Sequence, residues 1–202
     1  MVAIPGYAAF AFHNGLDQIR DAFRLSIGSM ETAGREAEAS RRRYVASGED
    51  DSERDEDGAL VSSTRHELGW AEMQAWSAAS VIREAFVTSA FHFWELSARA
   101  WTGENKSNGF DRLRARVLER YPVDPDLVHL NSLNNLLKHG NPQRGREVFE
   151  WRRELFLFGR MPSGNGWRGS LAIRTADVEQ FLEIVRRSGP PSDTPMFNQA
   201  NE

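Results

Sequence analysis

The feature that most constrains the fold is a broad apolar band across residues 64–101. Apolar side chains recur there at intervals of three and four residues, which is the spacing of an α-helix, and they occupy more than one side of that helix. Thr64 and Glu67 have the spacing of a capping box at its start. A helix that is apolar on several sides belongs at the centre of a bundle. We therefore predict a mainly α protein, an up-and-down helical bundle.

The residues before this helix predict a second long helix, so that the two form a long helical hairpin. Asn14 is its expected N-cap, and the helix runs to about Val45. The connection between them contains seven acids and one arginine in residues 49–57, and we expect residues 46–62 to form an acidic flexible loop. Residues 1–13 are expected to be an N-terminal peptide and residues 189–202 a disordered tail. Residues 14–188 then form a single helical-bundle domain.

The second half of the chain predicts three shorter helices and one small sheet. A basic helix is expected at residues 110–121, and another should begin at Asp124 and end before Gly140. Residues 147–158 and 167–174 favour extended structure on either side of a glycine-rich turn, so a small β-hairpin is expected before the last helix. Thr175 is the expected cap of that last helix.

Composition excludes several classes of protein. The chain has no cysteine, so it has neither disulfides nor thiolate metal sites. It shows no phosphate-binding glycine loop, no H-E-x-x-H pattern and no nucleophile elbow, and its five histidines are not paired at ligand spacing. We therefore expect no metal and no cofactor. No stretch is long and apolar enough to span a bilayer, and the first residues lack the basic region of a secretory signal, so a cytoplasmic location without membrane contact is expected.

Polar residues are placed regularly on the helix predicted after Asp124. Asn131, Asn135 and His139 repeat every four residues and so share one face. A histidine in the last turn can simply interact with the helix dipole, which is the structural alternative to a chemical role. In the long helix, His92 and Glu95 interrupt the run FHFWELSARAW. They are either satisfied locally, Glu95 by Arg99, or they line a polar cleft.

The long hairpin, the FHFWE run and the segment NNLLKHG together resemble the HEPN superfamily of small helical-bundle proteins. Members of that superfamily carry an arginine, four to six residues, and then a histidine, with a polar residue often following the arginine. In this chain Asn134 stands in the place of the arginine, Asn135 matches the polar residue, and His139 matches the histidine. Leu133 and Ser132 occupy the alternative arginine positions. The resemblance covers roughly residues 64–188.

The resemblance implies a metal-independent ribonuclease that acts as a homodimer, with His139 moving a proton and Asn135 and Asn134 at the phosphate. Asn134 lacks the positive charge of the arginine, so the transition state would be stabilised less. The difference would be about a few kcal/mol, similar to the loss of one oxyanion-hole donor. Residues 106–168 carry a net charge of +5, and arginine binds phosphate well. The candidate phosphate ligands are Lys138, Arg144, Arg146, Arg152 and Arg153, and the candidate cleft residues are Asn131, His92 and Glu95.

Three hypotheses about function follow, and they leave open whether the chain is an enzyme. The first is a HEPN-like protein that binds RNA or a partner protein, such as a companion antitoxin or defence protein, in a stress, defence or toxin–antitoxin setting, with little or no nuclease activity. The second is an active endoribonuclease that uses His139. The third is a structural homo-oligomer built on the two long helices.

Overall fold

The computed structural model describes residues 6–105, 108–164 and 166–192, and within them the protein is a mainly α helical bundle, as predicted. Its helices and strands, in chain order, are α1 (Tyr7–Ser47), β1 (Glu53–Arg54), β2 (Leu60–Ser62), α2 (Thr64–Thr102), α3 (Phe110–Leu118), α4 (Leu127–His139), α5 (Pro142–Trp151) and α6 (Thr175–Arg186). No helix in the described ranges combines the length and the apolar character needed to cross a bilayer.

The chain divides into two compact units. The larger comprises Met1–Ala22 and Arg83–Glu202, and the smaller comprises Phe23–Ile82. The core of the larger unit is centred on Trp94, which is fully buried and whose indole N–H donates to the Ser188 carbonyl oxygen at 2.6 Å. Apolar side chains of all the shorter helices are buried in this unit: Leu113, Val117, Leu130, Leu133, Val148, Phe181 and Leu182.

Glycines on α1 allow the helical hairpin to pack closely in each unit. In the larger unit, a Cβ on Gly15 would lie 2.6 Å from the ring of Phe93. In the smaller unit, a Cβ on Gly34 would lie 2.9 Å from the indole of Trp76, and Arg41 forms an ion pair with Glu72. Later residues of α1 meet earlier residues of α2, so the predicted hairpin is antiparallel.

The start of α1 differs from the prediction. The helix begins at Tyr7 and not at Asn14, so residues 7–13 are helical and only residues 1–5 of the expected N-terminal peptide lie outside the described ranges. Ala9 and Phe12 are buried, and together with Leu16 they extend the apolar face by two turns. This additional burial stabilises helix upstream of the expected cap.

The acidic segment contains a small β-hairpin where a flexible loop was expected. β1 and β2 pair antiparallel. In the turn, the Asp55 carboxylate accepts hydrogen bonds from the backbone N–H groups of Asp57 at 3.1 Å and Ala59 at 2.7 Å. The Asp51 carboxylate accepts a hydrogen bond from the Thr64 hydroxyl. This hydroxyl therefore bonds to Asp51 and not to Glu67, as the predicted capping box required. Aspartates readily form such local bonds, which composition alone does not reveal.

The β-hairpin predicted before the last helix is wrong. Residues 147–151 belong to α5, and only an isolated antiparallel bridge joins Phe156 to Leu171. The reason lies at Asn141, whose side chain accepts from the N–H groups of Gln143 and Arg144 while Pro142 occupies the first helical position. What reads as a turn in the sequence is therefore a helix start. The N-cap of α6 is Arg174, one residue before the predicted Thr175.

Two glycines provide a matched test of helix packing. A Cβ on Gly145, in α5, would lie 2.5 Å from the ring of Trp167, which is itself buried. Gly28, in α1, has nothing within 4 Å of the same position. We expect Gly145→Ala to lower the free energy of unfolding by about 1–3 kcal/mol through overpacking. Gly28→Ala should raise it by about 1 kcal/mol, because alanine is the better helix former. Urea denaturation measures both, and a change of the same sign in the two variants would contradict this packing.

Candidate functional site

Helix α4 positions the polar residues that the sequence singled out. Its N-cap is Asp126 rather than the predicted Asp124, because the Asp124 carboxylate closes the preceding turn by accepting from the Asp126 N–H at 2.9 Å. Its C-cap is Gly140 in the left-handed conformation, with φ 64°, as expected of a terminal glycine. Five leucines of the helix are buried: Leu127, Leu130, Leu133, Leu136 and Leu137.

The polar side of α4 borders a cleft of about 900 Å³ within the larger unit. Its other walls come from α2, α3 and α5. The cleft contains six of the predicted site residues, namely Glu95, Asn131, Asn134, Asn135, Lys138 and Arg144. The predicted site residues that do not line it are His92, His139, Arg146, Arg152 and Arg153.

His139 lies outside the cleft although it shares a helix face with Asn131 and Asn135. It is the last residue of α4, it is exposed, and the row of cleft-lining residues on this helix ends at Lys138. Helical spacing shows which face a residue lies on. It does not show how far along the helix axis the walls of the cleft extend. The candidate catalytic histidine is therefore not among the residues that line the cleft.

Asn134 has an unusual environment. It is 3% exposed, and its side-chain oxygen is buried without a hydrogen-bond partner among the described residues. An unpartnered buried acceptor costs about 1–3 kcal/mol, so such groups are rare unless they have a function. A ligand whose N–H or O–H reached this oxygen would supply the missing bond.

The two neighbouring amides are joined to each other. The Asn135 side-chain nitrogen donates to the backbone oxygen of Asn131 at 3.0 Å and to its side-chain oxygen at 3.1 Å. These bonds hold both side chains in place along the cleft. The side-chain oxygen of Asn135 and the side-chain nitrogen of Asn131 then provide an acceptor and a donor on the α4 side of the cleft.

A hydrogen-bonded group that joins α4 to α5 at the cleft was not predicted. Glu147 of α5 accepts from the Ser132 hydroxyl at 2.6 Å and from the Arg144 guanidinium at 2.8 Å. The hydrogen bond from Ser132 is the largest cause that holds the pKa of Glu147 below its usual range, and Arg144 acts in the same direction against desolvation. Arg144 is three residues before Glu147 on the same helix, but Ser132 lies on α4, so no local sequence pattern could have indicated the Ser132 contact.

An aromatic pair near the same cleft was also missed. The rings of His129 and Trp151 stack at 5.1 Å between centroids with 13° between their planes, and both residues line the cleft. The indole N–H of Trp151 donates to Asp126 at 3.2 Å, which fixes the ring. His129 has no clear signal in the sequence, and residue 151 lies in the segment for which extended structure is expected. The pair places two aromatic rings at the cleft, stacked against each other.

The charge of the cleft is less positive than the arginine content suggested. Four carboxylates line it, Glu95, Asp111, Glu147 and Glu150, against Lys138 and Arg144. Glu95 forms the local ion pair with Arg99 at 2.7 Å that was one of its two predicted roles, and it also lines the cleft. Outside the cleft, Arg152 is paired with the buried Asp177 at 2.7 Å. Part of the predicted phosphate-binding set is thus already engaged by carboxylates.

Residues 6–105, 108–164 and 166–192 contain no group of three or more histidine, aspartate or glutamate side chains that could hold a metal ion. Comparison with protein-family models, with curated proteins and with solved structures gave no match to this chain. The HEPN resemblance accordingly rests on the motif residues of α4 and α2 themselves.

Asn134→Leu tests whether the buried amide is an energetic burden on the fold. Leucine has nearly the same shape and removes the unpartnered acceptor, so we expect the free energy of unfolding to rise by about 1–2 kcal/mol. Asn135→Leu is the matched control, because it removes two hydrogen bonds and should not stabilise the protein. Chemical denaturation distinguishes the two. A loss of stability in Asn134→Leu would mean that the Asn134 amide itself stabilises the folded protein, which contradicts this expectation.

Ser132→Ala tests the cause of the lowered Glu147 pKa. Removing the hydroxyl should raise the pKa of Glu147 toward its ordinary value, as followed by NMR titration of the side-chain carboxyl. A depressed carboxyl pKa contributes stability above the unfolded pKa that is lost as pH falls through the folded pKa. The variant should therefore lose less stability on acidification. Ser170→Ala, whose hydroxyl donates to the Gly166 carbonyl, is the control and should leave the Glu147 titration unchanged.

Proposed function

We propose that this chain is a HEPN-like protein that binds single-stranded RNA in the cleft beside α4 and does not cleave it. The resemblance suggests a stress, defence or toxin–antitoxin setting for such a protein. The proposal is carried by one observation, the buried and unpartnered Asn134 oxygen at the cleft wall. That oxygen calls for a ligand with a hydrogen-bond donor.

The other amides and the aromatic pair favour a nucleobase as this ligand. Asparagine side chains pair well with base edges because they offer a donor and an acceptor side by side. Asn131 and Asn135 provide such a pair on the same helix face. Bases of single strands also stack on aromatic rings, and the His129–Trp151 surface lies at the same cleft. A duplex hides both the edges and the faces of its bases, so a single strand fits better.

The charge distribution disfavours extensive contact with the RNA backbone, since four carboxylates and two cations line the cleft. Within the cleft, Arg144 is bonded to Glu147, which leaves the exposed Lys138 as the residue best placed to approach a phosphate. With about one or two phosphate contacts, a fourfold rise in salt should weaken binding only about three- to sevenfold. This is a smaller effect than the one expected if all the candidate arginines gripped the backbone.

Two features of the motif residues support the absence of cleavage. Asn134 occupies the arginine position as an uncharged amide, which stabilises developing phosphate charge less than a cation does. His139 is the exposed last residue of α4 and is not among the residues that line the cleft. The acid–base group and the charge-stabilising group required for metal-free cleavage are thus not assembled around the cleft.

Fluorescence anisotropy with a labelled single-stranded RNA of about 12 nucleotides tests the proposal, since ssRNA sites span about 4–16 nucleotides. We expect Asn134→Leu to weaken binding about fivefold to tenfold, the loss of one hydrogen bond, while it stabilises the fold. His139→Ala is the matched control on the same helix and should bind like the wild type. The duplex of the same sequence should bind more weakly.

The same samples test cleavage. Intact RNA after prolonged incubation with wild type and with His139→Ala is the expected result. Cleavage by the wild type that His139→Ala abolishes would instead establish the ribonuclease alternative. If neither protein binds RNA, or if Asn134→Leu binds as well as the wild type, the cleft is not an RNA site.

A further inference from the structure

A groove of about 560 Å³ lies within the smaller unit. Its walls come from α1, from the β-hairpin of β1 and β2, and from the beginning of α2. We call it the Arg65 groove, and its lining residues include Arg41, Arg54, Arg65, His66, Met73 and Trp76. Small-molecule sites in proteins have volumes of about 300–1,000 Å³. The groove therefore has the size of a site for a small ligand.

The charged side chains of the Arg65 groove are mostly cations. Among the described residues that line it, three arginines and one histidine stand against a single carboxylate. That carboxylate is Glu72, and it is already ion-paired with Arg41. The side chains of Arg65 and His66 are exposed, and they have no hydrogen-bond or ion-pair partner within residues 6–105, 108–164 and 166–192. The groove therefore offers unused hydrogen-bond donors to an anion.

The acidic segment contributes its one cation to this groove and none of its carboxylates. Residues 49–57 contain seven acids and one arginine, and of these eight charged residues only Arg54 lines the groove. Successive side chains of an extended chain point to opposite sides, so Ser52 and Arg54 share the groove side and Glu53 does not. Glu53 instead accepts a hydrogen bond from the Ser62 hydroxyl at 3.1 Å. The most acidic segment of the chain thus has a basic inner side.

The Arg65 groove also has an apolar part. Leu60, Met73 and Trp76 line it, and they are 43%, 49% and 36% exposed. Ligand sites typically combine such apolar surface with a few polar groups that fix the orientation of the ligand. The planar fork of an arginine binds a phosphate or a carboxylate through two hydrogen bonds. The lining therefore matches a ligand with one anionic head group and an apolar body.

We propose that the Arg65 groove binds a small organic anion, with its phosphate or carboxylate at Arg54 and Arg65 and its apolar body on Met73 and Trp76. The net charge of −6 over residues 49–57 selects for a small ligand. A polyanion such as RNA would bring further phosphates against these carboxylates, and like charges repel. A single head group inside the groove meets the arginines alone. The proposal does not rest on RNA binding.

Isothermal titration calorimetry of the full chain tests the proposal with three probes that separate the head group from the body. These are 1-naphthyl phosphate, inorganic phosphate and the uncharged 1-naphthol. We expect 1-naphthyl phosphate to bind with a dissociation constant below about 1 mM, and at least about tenfold more tightly than either of the other two. Titration with 1-naphthoate, which has a carboxylate on the same ring system, shows which head group the arginines prefer. Binding of neither organic anion would overturn the proposal.

Arg54→Gln and Arg65→Gln should each weaken the binding of 1-naphthyl phosphate at least about fivefold, since each removes a charged hydrogen-bond donor. Both side chains are exposed, so circular dichroism should remain unchanged. Arg43→Gln is the matched control. Arg43 is an exposed arginine of the same unit that does not line the groove, so this variant should bind like the wild type.

Three further results would overturn the proposal. Equal affinity for 1-naphthyl phosphate and inorganic phosphate would show that the apolar residues take no part. Binding that is unchanged in both Arg54→Gln and Arg65→Gln would place the ligand elsewhere. An equal loss in Arg43→Gln would mean that the effect is one of net charge and not of this groove.

Discussion

Ser188 is the junction on which the larger unit depends. Its carbonyl oxygen accepts the indole N–H of Trp94, its hydroxyl accepts the backbone N–H of Asp124 at 3.0 Å, and the same hydroxyl donates to Ile184 at 2.7 Å. One fully buried residue thereby connects the last third of α2, the end of α6 and the turn that precedes α4. Breaking any of these bonds would leave a polar group unpaired in the core, so an alternative packing of these elements would be costly. The position of α4, and with it the cleft, follows from this connection.

The long helices could be predicted because their signal is local. Intervals of three and four residues define α2 almost to the residue, and the predicted start at Thr64 is correct. The error at α5 arose because Asn141 and Pro142 belong equally to a turn and to a helix start. Only the two hydrogen bonds that Asn141 accepts separate these alternatives, and they are not visible in composition.

In the candidate site, too, local patterns could be predicted and contacts between distant residues could not. Asn131, Asn134 and Asn135 could be found from the sequence because they lie within one turn of one helix. Glu147 and Trp151 could not, because their positions at the cleft depend on how α5 packs beside α4. His139 shares a helix face with the amides but does not line the cleft, because periodicity gives an angle around the helix axis, whereas a cleft also has a length along it. Arginine counts were misleading because carboxylates from distant parts of the chain, such as Asp177, already neutralise some of them.

Asp51 gives the acidic segment a part in how the chain is connected. Its carboxylate accepts hydrogen bonds from Tyr44 near the end of α1 and from Thr64 at the start of α2, so one side chain closes the link between the two long helices. These bonds hold the pKa of Asp51 below its usual value, the contribution of Thr64 being the largest. The link spans a short stretch of chain, and closing it brings the end of α1 close to the start of α2. Short-range closure costs less entropy and speeds folding, so a segment that looks like a charged spacer is well placed to start the assembly of the hairpin.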